Sequence, residues 1–247
     1  MSDDFGPGLL GLVLSGSAGR GLDTERSDLD LLVILMPEIV NGPSAPWLHT
    51  AELEQIPLTL DHLETTAAFG DSEYAYRWSY AWAPVLADFT GGRVAKAIER
   101  QTHLTADEAL HLVLQHRLGG WLNLTYRALK SARDGETLPA RLDAVEALPM
   151  FLDIVFGLEG LVRPYNKYLP WALASHPLAE WGADELLAVI EEMQRGSADA
   201  LRLGVSRVHG SAMRFAASQG NSEIPEAFED WYPDDYGEVL GLRPNAN

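Results

Sequence analysis

Cysteine is absent from the 247 residues, which excludes disulfides, thiolate nucleophiles and thiolate-held metals. Basic residues are scarce: 18 Lys and Arg stand against 36 Asp and Glu, for a formal net charge of −18. Proteins that bind long nucleic acid neutralise many phosphates with Lys and Arg, so a template polymerase or an RNA-tailing enzyme is not expected. The acidic balance either favours a cationic acceptor or serves solubility alone. No apolar run approaches the roughly 20 residues that span a bilayer. The first eight residues are acidic, unlike the basic start of a signal peptide. The expectation is a cytoplasmic protein without a membrane partner.

What is present organises itself around residues 12–35, LVLSGSAGRGLDTERSDLDLLVIL. An apolar run at 9–14 reads as a strand. It ends at Ser15-Gly16-Ser17, where small residues let backbone amides approach an anion. Eleven residues after Ser17 come Asp28-Leu29-Asp30. In an extended strand alternate side chains share a face, so Asp28 and Asp30 point one way and Leu29, Leu31 and Val33 the other. Two carboxylates this close repel unless a cation lies between them, and hard oxygen ligands on a strand suit Mg²⁺, which takes its remaining ligands from water and substrate phosphates.

Gly16-Ser17, Arg20-Gly21 and Ser27-Asp28-Leu29-Asp30-Leu31 together resemble the signature of the DNA polymerase β-like nucleotidyltransferase superfamily, in the small branch that includes antibiotic nucleotidyltransferases. The resemblance covers about a tenth of the chain directly. It implies that the turn of Gly16 and Ser17 binds the triphosphate of an NTP, ATP by expectation, with Arg20 and Ser27 alongside. It further implies that Asp28, Asp30 and a third carboxylate on a later strand hold two Mg²⁺ ions. The reaction implied is attack of an acceptor hydroxyl on the α-phosphate with release of pyrophosphate. A small antibiotic-like acceptor and a protein hydroxyl both fit, as does a non-catalytic NTP-binding or partner-binding module on the same fold.

The third carboxylate is assigned to Asp61, inside the strand-like run at 56–63, because an unpaired charge in an apolar run is costly; Glu64 is the substitute. Further candidates are Lys167, a phosphate ligand in the segment LVRPYNKYLPW at 161–171, and Arg163 in reserve. Asn123 and Arg127 either line a cleft or pack at a bundle rim.

The expected fold class is α+β: a nucleotidyltransferase domain over 1–101, with a mixed sheet and helices, and a helical bundle over 102–247. The alternating aromatics at 72–82 fit either a strand or a helix. Thr105 and Glu108 form a capping-box pattern opening a long helix over 106–132. Further helices are expected at 140–161, interrupted near Pro149, at 183–203 and at 206–219, with an acidic tail from 221 that wraps or frays. His111 and His116 lie five apart on the long helix, a poor spacing for shared ligation on an α-helix, and read as structural. His49, His62, His103, His176 and His209 form no metal motif in sequence.

Overall fold

The structure is a computed structural model in which residues 6–42 and 45–242 are described. Pro43, Pro244 and the first five residues of the acidic start lie outside the described residues. The chain divides into two compact units, one ending at His103 and the other beginning at Leu104.

The first unit carries β1 (Leu9–Leu14), β2 (Leu29–Leu35), α1 (Pro37–Val40), β3 (Leu48–His49), β4 (Leu53–Thr59), α2 (Leu60–Glu64), α3 (Arg77–Tyr80), β5 (Val85–Asp88) and α4 (Arg93–Thr102). The strands form one mixed sheet in the order β3-β4-β2-β1-β5. β1 runs antiparallel to β2 and β5, while β2 and β4 are parallel. One face buries Val13, Leu32 and Ile34 against Leu60, Leu63, Val94 and Ile98. The other gathers Leu9, Leu31, Val33 and Leu35 with Ile39 and Val40. A central strand covered on both sides must be apolar at both parities, which is why β2 reads LDLLVIL with its only charge at the exposed start.

The aromatic tract is neither a strand nor one regular helix. A 3₁₀ turn at Ser72–Tyr76 leads into α3, and Trp78 and Tyr80 are buried. The carbonyls of Trp78 and Ala81 accept hydrogens from the Arg20 guanidinium, so this backbone is satisfied by a side chain instead of a sheet ladder. β5, four residues with no clear alternation in the sequence, is a short edge strand beside β1.

The second unit is helical: α5 (Ala106–Leu110), a π-helical segment (His111–Arg117), α6 (Leu118–Arg133), α7 (Thr137–Leu158), α8 (Leu169–Ser175), α9 (Ala183–Gln194), α10 (Ala198–Gln219), α11 (Glu223–Glu229) and α12 (Asp234–Leu240). Thr105 and Glu108 form the capping box. The chain is therefore α+β with a helical second half, as expected. Several boundaries differ. The helix from 106 is divided by the π segment, α7 runs through Pro149, and α9 stops at Gln194. Gly196, with φ +77°, turns the chain there, and Ser197 accepts the Ala200 amide to start α10 afresh. The tail forms α11 and α12, and Ile224, Phe228 and Leu240 are buried. Trp121, Phe151 and Trp181 meet in series in the bundle core, with centroids 6.0 and 5.7 Å apart. Among the described residues no helix is long and apolar enough to cross a membrane.

Candidate metal and nucleotide site

The sheet register builds the site. β2 and β4 are parallel with Asp30 opposite Glu54, and in each strand the acid is followed at alternate positions by core residues: Leu32 and Ile34 after Asp30, Ile56 and Leu58 after Glu54. Both carboxylates therefore emerge on one face, at the end where the apolar cover stops. Asp28 joins them from just before β2. Asp28, Asp30 and Glu54 each offer an oxygen, all within 4.8 Å of one another, and all three side chains are half-buried.

The turn after β1 closes over this group. Gly16 has φ +59°, and a Cβ placed on it would stand 1.6 Å from Asp30 Oδ2. Only glycine serves here, on grounds of backbone conformation and of space. Ser15 binds the turn to the sheet, its amide donating to the Asp30 carbonyl at 2.8 Å and its hydroxyl to the Ser79 carbonyl at 2.6 Å. Ser17 is buried. Among the described residues, the amides of Gly16 and Ser17 donate to no backbone carbonyl, which leaves them as donors for an anion.

Burial, then the neighbouring charges of Asp28 and Glu54 and a side-chain hydrogen bond with Glu54, raise the Asp30 pKa; the Arg20 charge partly opposes this. Three carboxylates held together with a proton favoured on one of them are the electrostatic condition that a hard cation relieves. The donor set, all carboxylate oxygen on adjacent strands, fits Mg²⁺ with water or phosphate completing the shell.

Asp61 is not part of this group. Thr59 ends β4 and accepts the His62 amide as an N-cap, so Asp61 stands exposed in the first turn of α2. Glu54 and Thr59 are separated by the length of β4, about 17 Å at strand rise, which puts Asp61 at the opposite end of the sheet from the acidic group. The strand expected at 56–63 in fact starts at Leu53 and stops at Thr59, and the third acid beside Asp28 and Asp30 is Glu54. Glu64 is held by Arg93 through hydrogen bonds of 2.8 and 2.7 Å, which lower its pKa.

Arg20 is buried and donates to the carbonyl of Gly16 at 2.7 Å as well as to those of Trp78 and Ala81. It lies 4.1 Å over the Trp78 ring. Its guanidinium holds the turn in place through these carbonyls. The Ser27 hydroxyl accepts the Thr24 amide at 3.0 Å in the turn just before Asp28. In the second unit Lys167 is exposed, with its ammonium 5.2 Å from the Tyr168 ring centre. Arg163 is spent on Asp153, Asn166 and the Pro149 carbonyl. Arg127 pairs with Asp143 at 3.1 Å.

Sequence reasoning missed Glu54 and its neighbour His49, whose Nδ1 is 3.5 Å from Glu54 Oε1 across the β3–β4 pair. The signal was present: E-x-I-x-L in β4 repeats the D-x-L-x-I of β2, an acid followed by the same core parity.

No family model and no curated protein matches the sequence. Among solved structures, the chain is similar to a nucleotidyltransferase-like protein from Exiguobacterium sibiricum, with 13% identity and a TM-score of 0.40 over 95% of this chain and 78% of that one. A likeness at that level carries no argument about chemistry, which rests on the carboxylates and the turn.

Gly16→Ala forces a left-handed residue to carry a Cβ into Asp30, so urea unfolding shows a loss of at least about 1 kcal/mol. Asp30→Asn does the reverse in EDTA. An acid whose folded pKa is raised contributes stability below the ordinary aspartate range that is lost as pH rises through the raised value. The parent's melting temperature therefore falls over that window by an increment absent from Asp30→Asn, and at neutral pH the variant melts higher; scanning calorimetry across pH measures both.

Proposed function

We propose that the protein is a Mg²⁺-dependent nucleotidyltransferase that moves a nucleoside monophosphate, AMP by preference, from an NTP to a hydroxyl of a small cationic acceptor of the aminoglycoside type. The observation that supports this reading is the convergence of Asp28, Asp30 and Glu54 against a side-chain-free turn at Gly16. Asp28, Asp30 and Glu54 would hold one or two Mg²⁺ ions, which supply neutralisation of charge on the reacting phosphate.

The remaining work falls to the chain's own groups. The amides of Gly16 and Ser17, with the Ser17 hydroxyl, hold phosphate oxygens of the NTP, while Arg20 fixes the turn that presents them. Glu54 accepts the proton of the acceptor hydroxyl as its oxygen bonds to the α-phosphorus. The bond from that phosphorus to the bridging oxygen breaks, and pyrophosphate leaves with the electron pair. Such catalysis is mainly positioning and charge neutralisation. The net charge of −18 favours a cationic acceptor over an anionic one.

Thermal stability and pyrophosphate release, measured with ATP and MgCl₂ against a panel of aminoglycosides, lincosamides and candidate protein acceptors, test the reading. The protein melts higher with ATP and Mg²⁺ together than with either alone, and pyrophosphate appears with an acceptor. Asp28→Asn, which leaves the fold intact, lowers turnover at least about a hundred-fold, the scale of removing a group aimed at transition-state charge. Full activity in Asp28→Asn contradicts the site, and release only with a protein acceptor contradicts the small-molecule assignment.

A further inference from the structure

Five residues along an α-helix is about 500° of rotation, which leaves the two side chains about 140° apart. His111 and His116 escape that rule because residues His111–Arg117 are wound as a π-helix, whose i→i+5 hydrogen bonding brings residues five apart onto one face. Their Nε2 atoms are 3.0 Å apart and their rings meet edge to face, with centroids 4.7 Å apart. Both side chains are exposed.

We infer that His111 and His116 form a two-imidazole site for a borderline divalent transition-metal ion, Cu²⁺ or Ni²⁺ before Zn²⁺, that is separate in composition from the carboxylate group of the first unit. Metal–imidazole bonds of about 2.0–2.1 Å place two nitrogens about 2.9 Å apart at a right angle and about 3.4 Å apart in a tetrahedron. The observed 3.0 Å lies near the right-angle value, which square-planar and octahedral ions adopt. Imidazole is also the ligand these ions prefer to carboxylate, and Mg²⁺ has the opposite preference.

The proton balance is simple. When both rings are neutral, a contact of this kind has one ring donating its Nε2 hydrogen to the other ring's Nε2 lone pair; ligation requires that ring to carry its hydrogen on Nδ1 instead, with both Nε2 lone pairs toward the ion. Arg117, the adjacent cation, is compensated by Asp153, whose Oδ2 accepts its Nε hydrogen at 2.6 Å. Among the described residues no Asp, Glu or Cys completes a three-ligand cluster here, so water or an incoming ligand fills the remaining positions.

The test uses the tag-free full-length chain with CuCl₂ and NiCl₂, read by titration calorimetry and by the nitrogen splitting in the Cu²⁺ electron paramagnetic resonance spectrum. The expected result is one tight equivalent with splitting from two imidazole nitrogens and Cu²⁺ binding tighter than Ni²⁺. His111→Gln and His116→Gln each weaken binding at least tenfold with unchanged circular dichroism. Asp30→Asn leaves this binding as it was, and excess Mg²⁺ does not displace the ion. Undiminished Cu²⁺ and Ni²⁺ affinity in the double His variant, or splitting from fewer than two nitrogens, overturns the inference. Neither result bears on nucleotidyl transfer, which Asp28→Asn tests separately.

Discussion

A carboxylate pressed against a turn that can carry no side chain is the constraint from which the first unit follows. Asp30 occupies the space a Cβ on Gly16 would need, and the turn must hold a left-handed residue at that point to end β1 and clear the acid. Everything nearby keeps this apposition fixed. Ser15 ties the turn to the Asp30 backbone and to Ser79, and the buried Arg20 clamps it to the carbonyls of residues 78–81. Charge repulsion among Asp28, Asp30 and Glu54 works against the fold in the absence of a cation. A structure that keeps such a cluster at the start of two core strands gives up stability at that place, the usual mark of a site shaped by function.

The legible part of the sequence is the part with strong local rules. The apolar run of β1, the serine–glycine turn and the aspartates opening β2 carry their own geometry, and the capping box at Thr105 fixes where the helical half begins. The acid that joins Asp28 and Asp30 is legible only in part. The alternation after Glu54 repeats that after Asp30, but which residue stands opposite Asp30 depends on the parallel register of β2 with β4, a long-range pairing. Asp61 lies in an apolar run, which suggests a buried acid, yet Thr59 caps a helix there and turns the acid to solvent. Arg20 has the place of a phosphate ligand in the motif, whereas the carbonyls it satisfies come from residues nearly sixty positions away.

The histidine pair makes the same point on a smaller scale. A spacing of five separates two side chains on an α-helix and brings them together on the wider π winding that the backbone adopts here. Spacing rules are statements about a helix type, so they fail where the winding changes. The helical half supplies this local site by itself, just as the sheet supplies the acidic one.

The central claim is that Asp28, Asp30 and Glu54 hold a divalent cation beside the turn at Gly16. Anomalous diffraction from crystals grown with Mn²⁺ and a non-hydrolysable ATP analogue tests it most directly. The account predicts a manganese peak bound by oxygens of these three side chains, with phosphate against the amides of Gly16 and Ser17. Manganese absent from the three carboxylates, or bound at Asp61 in their place, would contradict it.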